Sequence, residues 1–200
     1  MNTSPKPLSK TLLPLEQQLL NYHPCNEQEE KDRLVILNAL RTFPDVFTRK
    51  NETAHMTASA WVVNPARDHV LMVYHNIYHS WSWLGGHADG ETDLLSVAIR
   101  EVKEESGLHT VQPLSPDIYS LEVLTVDGHE KHGHYVSSHL HLNLTYLLEA
   151  DDKYPLQIKP DENSGVAWFS PEKAIEASTE PWFQARIYRK LNVRLQLFRA

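Results

Sequence analysis

Residues 81–108 read WSWLGGHADGETDLLSVAIREVKEESGL, and the second half of this stretch specifies a helix by its ends and its faces. Thr92 can cap its start, Asp93 then meets the positive end of the helix dipole, and Gly107 can take the left-handed conformation that stops it. The spacing predicts a helix of about four turns from Asp93 to Ser106. Leu95, Ala98, Ile99 and Val102 share one face at i, i+3, i+4, i+7, the pattern of a buried stripe. Glu101, Glu104 and Glu105 stand at i, i+3, i+4 and bring three carboxylates onto another patch about one turn long.

Like charges at i, i+4 repel by about 0.2–0.5 kcal/mol in water, so Glu101 and Glu105 weaken the helix unless a cation lies between them. Hard carboxylate oxygens on one rigid face suit magnesium or manganese, which bind carboxylates, waters and phosphate oxygens together. Arg100 precedes Glu104 by four residues and can hold that carboxylate by an ion pair. An isolated EVKEE reads most simply as a solvated acidic face; Gly85 and Gly86, which let backbone approach a ligand closely just ahead of the helix, shift that reading toward a site.

In this stretch the chain resembles the Nudix hydrolases, whose box is G-x5-E-x7-R-E-U-x-E-E-x-G-U with U apolar. Gly86, Arg100, Glu101, Val102, Glu104, Glu105, Gly107 and Leu108 fall in register with it. One position departs: Thr92 stands where the pattern has its first Glu, and the nearest carboxylate, Glu91, is one residue early. The resemblance implies an α/β fold, the Nudix α/β/α sandwich with a mixed β-sheet, here with a helical N-terminal extension. It implies a pyrophosphohydrolase that uses Mg2+ (or Mn2+) to split the diphosphate linkage of a nucleoside diphosphate joined to another group X. By the same analogy Glu101, Glu104, Glu105 and the carbonyl of Gly85 hold the metal. The general base is Glu104, Glu105 or a loop carboxylate such as Glu130, Asp161 or Glu162, with Arg100 assisting. Candidates for holding substrate are Gly86, His87, Trp81, His139 and His141. Two alternatives use the same fold. A non-catalytic nucleotide sensor would be expected to have lost its acidic cluster, whereas all three glutamates persist. An isomerase of the isopentenyl diphosphate type would need a cysteine near the cleft, and Cys25 lies in the extension.

The 200 residues, 41% apolar and 22% charged, suit one globular domain with an extension. A net charge of −7 argues against a nucleic-acid polymer as partner, and a small anionic substrate, such as the nucleotide the resemblance implies, would then depend on metal for charge neutralisation. A single cysteine allows neither an intrachain disulfide nor a thiolate zinc site. No basic segment followed by an apolar core opens the chain, and no apolar run approaches a membrane span, so the expected setting is the cytoplasm, without membrane attachment.

Residues 1–53 read as a helical extension and 54–200 as the hydrolase domain. Residues 1–14, rich in Pro, Ser and Lys, read as loosely ordered; a short helix over 15–22 follows, then a longer one capped by Asn26 and ended by Pro44. These extra helices and the family resemblance leave room for a homodimer. HMTASAWVVN and HVLMVYH read as an antiparallel pair joined by NPARD, followed by the strands IYSLEVLTV, HLHLNLTYLLEA and GVAWF. DGHEKHGHYVSS reads as a polar loop. In HLHLNLTYLLEA, His139, His141, Asn143 and Thr145 alternate with apolar residues, giving one apolar and one polar face. Twelve histidines invite a zinc hypothesis for His129, His132, His134, His139 and His141, but no spacing matches a known zinc motif, and satisfied or solvated rings are the plainer reading. Trp81 can stack a base or fill the core around the glycines. Ser170-Pro171 reads as the cap and first residue of a helix, and the basic C-terminal segment as a closing helix.

Overall fold

The computed structural model describes residues 13–131 and 133–199, so the expectation for residues 1–12 and the candidate His132 lie outside the described residues. The chain opens with α1, Leu13–Asn21, and α2, Glu27–Thr42. The Asn26 side chain caps α2 by accepting the Glu29 amide at 2.9 Å. The helix ends two residues before Pro44, as the steric demand of proline on its predecessor requires. Eight strands form one hydrogen-bonded sheet in the order β10-β2-β1-β9-β5, with β3 paired to β2, β4 to β1 and β6 to β9. Their ranges are Ala54–Val63 (β1), Val70–His75 (β2), Ser80–Ser82 (β3), Leu84–His87 (β4), Gln112–Pro113 (β5), Ser120–Val126 (β6), His139–Glu149 (β9) and Asn163–Phe169 (β10). A separate pair, β7 (His129–Lys131) and β8 (His134–Val136), runs antiparallel. No helix among the described residues is long and apolar enough to cross a membrane. The chain divides into two compact units.

The first unit comprises residues up to 58, 86–97 and 117–145. Here α2 packs on β6 through a buried polar network. The Ser120 hydroxyl lies 3.0 Å from Glu29 Oε1 and 2.5 Å from Glu122 Oε1. Glu29 Oε2 accepts the Cys25 amide, and Asn143 and Thr145 donate to Glu122 Oε2 at 3.2 Å each. The polar face expected for β9 is present and, at Asn143 and Thr145, buried, with their polar atoms satisfied by β6 and by Thr57 of β1. The polar loop expected over 127–138 contains the β7–β8 hairpin, which Gly133 permits by turning at φ 77°.

The second unit comprises 59–85, 98–116 and residues from 146 onward. The expected antiparallel pairing of β1 and β2 is present, with Val63 opposite Val70. On the other side of β2, β10 runs antiparallel with a register shift between Asn163 and Gly165. Trp61, fully buried, stacks on Tyr188 with ring centroids 5.6 Å apart, and Trp83 and Phe183 meet Tyr188 from other sides. Ser170 caps α4, Pro171–Ala177, as expected. The closing segment comprises α5, Pro181–Phe183, a π-helical turn over Gln184–Tyr188, and α6, Arg189–Arg199. The wider turn carries Ile187 and Tyr188 inward together.

The helix of the decisive stretch is α3, Leu94–Ser106, and it corrects two expectations. Its cap is Asp93, not Thr92: Asp93 accepts the Ser96 amide at 3.3 Å and the Ser96 hydroxyl at 2.6 Å. Its buried apolar residues are Leu94, Val97, Ala98 and Val102, while Leu95 and Ile99 are half-buried, so the stripe is rotated by a residue at its start. Gly107 ends the helix as expected, at φ 73°, and a Cβ there would lie 2.7 Å from that of Gln157. Asp93→Ala is expected to lower stability by about 1 kcal/mol, the usual worth of a cap. Thr92→Ala, which leaves that bond in place, should change the urea midpoint by less than half as much.

Candidate active site

The acidic patch of α3 is graded from solvent to interior, unlike a solvated helix face. Glu104 is exposed, Glu101 half-buried, and Glu105 only 3% exposed. The burial of Glu105 follows from the helix phase, since it lies seven residues after Ala98 and three after Val102 on the inward side. Its Oε2 accepts the Gly85 amide at 2.9 Å. Arg100 Nη2 donates to Glu101 Oε1 at 2.8 Å, and its Nε lies 3.7 Å from Glu104 Oε1, so one guanidinium serves two carboxylates. Lys159 Nζ stands 3.2 Å from Glu104 Oε2 and 3.0 Å from Glu162 Oε1.

The loop that supplies Lys159 and Glu162 is fastened to the end of α3 through backbone. The Gln157 amide donates to the Ser106 carbonyl at 2.8 Å. The buried Asn163 donates to the Glu105 carbonyl at 3.0 Å and accepts the Lys159 amide at 3.2 Å. One amide side chain thus ties the loop's start to the helix terminus, and the shifted register of β10 begins at that residue.

Burial raises the pKa of Glu105 well above the usual carboxylate range; the Gly85 amide opposes this, and the charges of Glu101 and Glu162 add to it. Glu101 is raised for the same leading reason, with Arg100 opposing. Burial works against the charge of Lys159, yet Glu162 and Glu104 offset it and hold its pKa above the ordinary value. Carboxylates whose ionised form is held back by burial and by one another are a donor set that a hard divalent cation fits. Glu104 is turned to Lys159 and Arg100 and Glu105 to Gly85; among the described residues the three-residue group with ligand atoms all within 4.8 Å is instead His55, His139 and His141.

Of the residues expected at a site, the structure brings together Gly85, Arg100, Glu101, Glu104, Glu105 and Glu162 in the second unit. Gly85 and Gly86 lie in strand β4 and not in a loop, and Gly85 presents its amide to Glu105. In the first unit His87, His139 and His141 gather with His55 at centroid distances of 4.9–5.2 Å. Trp81 sits edge-on to Tyr74 and Phe169 and against Gly165, in a packing arrangement. Asp161 and Glu130 are exposed.

The NUDIX domain family matches residues 53–191, well over half of the sequence. The chain belongs to the Nudix family. Solved structures carry the same fold, the Nudix α/β/α fold of a mixed sheet with helices on both sides. An Ap4A hydrolase of C. elegans in a binary complex is 20% identical, with 72% of this chain and 98% of that one covered at a TM-score of 0.50. The dihydroneopterin triphosphate pyrophosphohydrolase of E. coli is 14% identical over 68% and 92%, with a TM-score of 0.51. A MutT protein of Methanosarcina mazei Go1 is 16% identical over 75% and 99%, with a TM-score of 0.52. No curated protein sequence matches significantly. By family this Nudix chain is an enzyme of the pyrophosphohydrolase type.

At the departure in its Nudix box, Glu91 is occupied locally, its Oε1 accepting the amides of Thr92 and Asp93 at 2.7 and 2.9 Å. Sequence reading missed Lys159, Asn163 and His55. A cation in the loop already singled out for Asp161 and Glu162 was the available signal for Lys159; none pointed to His55.

Proposed function

We propose that this Nudix enzyme hydrolyses the diphosphate linkage of a nucleoside diphosphate joined to a further group, with Mg2+ or Mn2+ as cofactor. The observation that carries the reading is the graded set of α3 carboxylates, one buried on the Gly85 amide and two shared with Arg100 and Lys159. Glu101, Glu104 and Glu105 would hold the cation, as Nudix hydrolases generally hold divalent metal. When bound, it supplies charge neutralisation on phosphate oxygens and a lowered pKa for water.

The chain's own residues divide the remaining work. Glu105 is fixed by Gly85, and Arg100 fixes Glu101 and restrains Glu104, so the ligands are set before substrate arrives. Glu104 and Glu162 are the members of the set that solvent reaches, and one of them takes the proton of the attacking water. The water oxygen bonds to phosphorus as the anhydride P–O bond breaks, and the electron pair leaves on the departing phosphate. We read residues 54–200 as the hydrolase domain and 1–53 as its helical extension. A small nucleotide accords with the acidic net charge of −7 better than a nucleic-acid polymer does.

The test is phosphate release, after added phosphatase, from a panel with and without Mg2+. The panel holds ADP-ribose, a nucleotide sugar and a dinucleoside polyphosphate such as Ap4A, whose phosphates are capped against the phosphatase; for triphosphates, including that of dihydroneopterin, inorganic pyrophosphatase replaces it and reads the pyrophosphate released. Metal-dependent turnover of one compound, lost in Glu104→Gln, is expected and names the substrate class. Silence across the panel with clear calorimetric binding of one nucleotide would overturn the hydrolase reading in favour of a sensor.

A further inference from the structure

Three imidazoles of the first unit each bring a ring nitrogen into one small cluster. His139 and His141 alternate along β9, which places both rings on one face of the strand. His55 belongs to β1, whose neighbour in the sheet is β9, and the Leu140 amide between the two β9 histidines donates to the Thr53 carbonyl at 3.0 Å. The His55 ring stacks on that of His139 at 4.9 Å and lies 5.0 Å from that of His141. The ligand atoms of all three lie within 4.8 Å of one another, and the Nε2 atoms of His139 and His141 are 3.2 Å apart. Two nitrogens each about 2.0–2.1 Å from a tetrahedral ion stand about 3.3 Å apart, so that pair already has the edge length of such a site.

The backs of the rings are arranged to suit. His55 Nδ1 lies 2.9 Å from the Asn51 carbonyl, and His139 Nδ1 lies 2.8 Å from the Ser137 carbonyl. A carbonyl can only accept, so Nδ1 carries the proton in both and Nε2 presents a lone pair. This backing of a ring by a backbone carbonyl is the usual outer-shell support of a metal-bound histidine. His55 is 4% exposed, and its Nε2 has no hydrogen-bond partner among the described residues. A hydrogen bond between His139 and His141 explains those two rings but leaves the His55 lone pair buried and unanswered, against the general rule. Burial, chiefly, and the neighbouring rings push the pKa of His141 down, and burial lowers that of His55.

We propose that the Nε2 atoms of His55, His139 and His141 bind one borderline-soft divalent transition-metal ion of the zinc class. Imidazole nitrogens without carboxylates select such an ion over magnesium, and three protein ligands leave a position open for water or an anion. The inference stands on the histidines alone and is independent of the hydrolase reading.

The experiment uses the full chain, stripped by chelator, then dialysed against Zn2+ with excess Mg2+ present to saturate carboxylate sites. One zinc per chain should be retained, and Co2+ in its place should give the visible d–d bands of a nitrogen-ligated four- or five-coordinate ion. Separate His55→Gln and His141→Gln variants should lower zinc affinity at least tenfold, with Glu101→Gln within twofold of wild type. Should His55→Gln fail to fold, His139→Gln and His141→Gln, at half-buried positions, carry the decision. Absence of zinc from the wild-type chain, or zinc retained by folded histidine variants and lost in Glu101→Gln, overturns the proposal. Turnover enters none of these readings, so they cannot be confused with failure of the proposed hydrolysis.

Discussion

Glu105→Gln should reduce kcat at least about a hundredfold while the metal-free protein melts no lower than wild type. The loss follows from the proposed role, since an amide oxygen is a poorer ligand than a carboxylate oxygen and its NH2 offers a donor where an acceptor is needed. Disturbing even a supporting group of a metal site costs about 10- to 100-fold. Stability should move the other way because the ionised side chain is held back by burial first, and then by Glu101 and Glu162. Glutamine keeps the shape and can still accept the Gly85 amide, which bonds to Oε2 at 2.9 Å. Added Mg2+ should raise the wild-type melting temperature and leave the variant's unchanged. Turnover within tenfold of wild type would remove Glu105 from the metal site. A large fall in melting temperature would instead make it a structural carboxylate.

Trp61→Ala should lower stability by about 3–5 kcal/mol, the range for deleting a buried aromatic side chain. In a chain of this length that corresponds to roughly 10 °C in melting temperature. Trp61 is fully buried and stacks on Tyr188, whose hydroxyl lies 3.2 Å from that of Ser82. Its indole Nε1 is also buried without a partner among the described residues. Trp61→Phe keeps a ring on Tyr188 and deletes that unsatisfied donor, whose burial costs about 1–3 kcal/mol, so it should lose less than half as much. The two urea midpoints decide the matter. Equal losses would show that neither the ring contact nor the volume a phenylalanine restores is what stabilises this position.

The sequence carried the elements and most of one site for identifiable reasons. Helix α3 was legible because glycine and a run of short-range spacings mark its end and its acidic patch. Its phase was not, because Leu94-Leu95 and Val97-Ala98-Ile99 offer two overlapping apolar stripes that share Ala98 and Val102. In the fold the stripe through Leu94 and Val97 is the buried one, and the same helix phase buries Glu105. Strands β1, β2, β6, β9 and β10 were legible from β-branched and alternating residues. The alternation of β9 was legible but not the burial of its polar side, because the groups that satisfy Asn143 and Thr145 come from Glu122 and Thr57, distant in sequence. The pairing of Lys159 with Glu104 spans 55 positions, and His55 meets His139 across 84, separations at which spacing carries no signal.

The arrangement around Lys159 has a further meaning when its charges are balanced. Glu101, Glu104, Glu105 and Glu162, all ionised, place four negative charges against the two fixed positive charges of Arg100 and Lys159. Two are left over, the charge of a single divalent ion. In its ion-free state burial holds back the ionisation of Glu105, so Arg100 and Lys159 face fewer than four charges, and the cluster's assembly does not depend wholly on a cation from solution. A diphosphate enters with negative charge of its own, for which one such ion leaves no surplus. Neutralising the diphosphate in the loaded cluster then calls for a second cation, since turning the Lys159 ammonium from Glu104 and Glu162 toward the phosphates would redistribute charge without changing the sum.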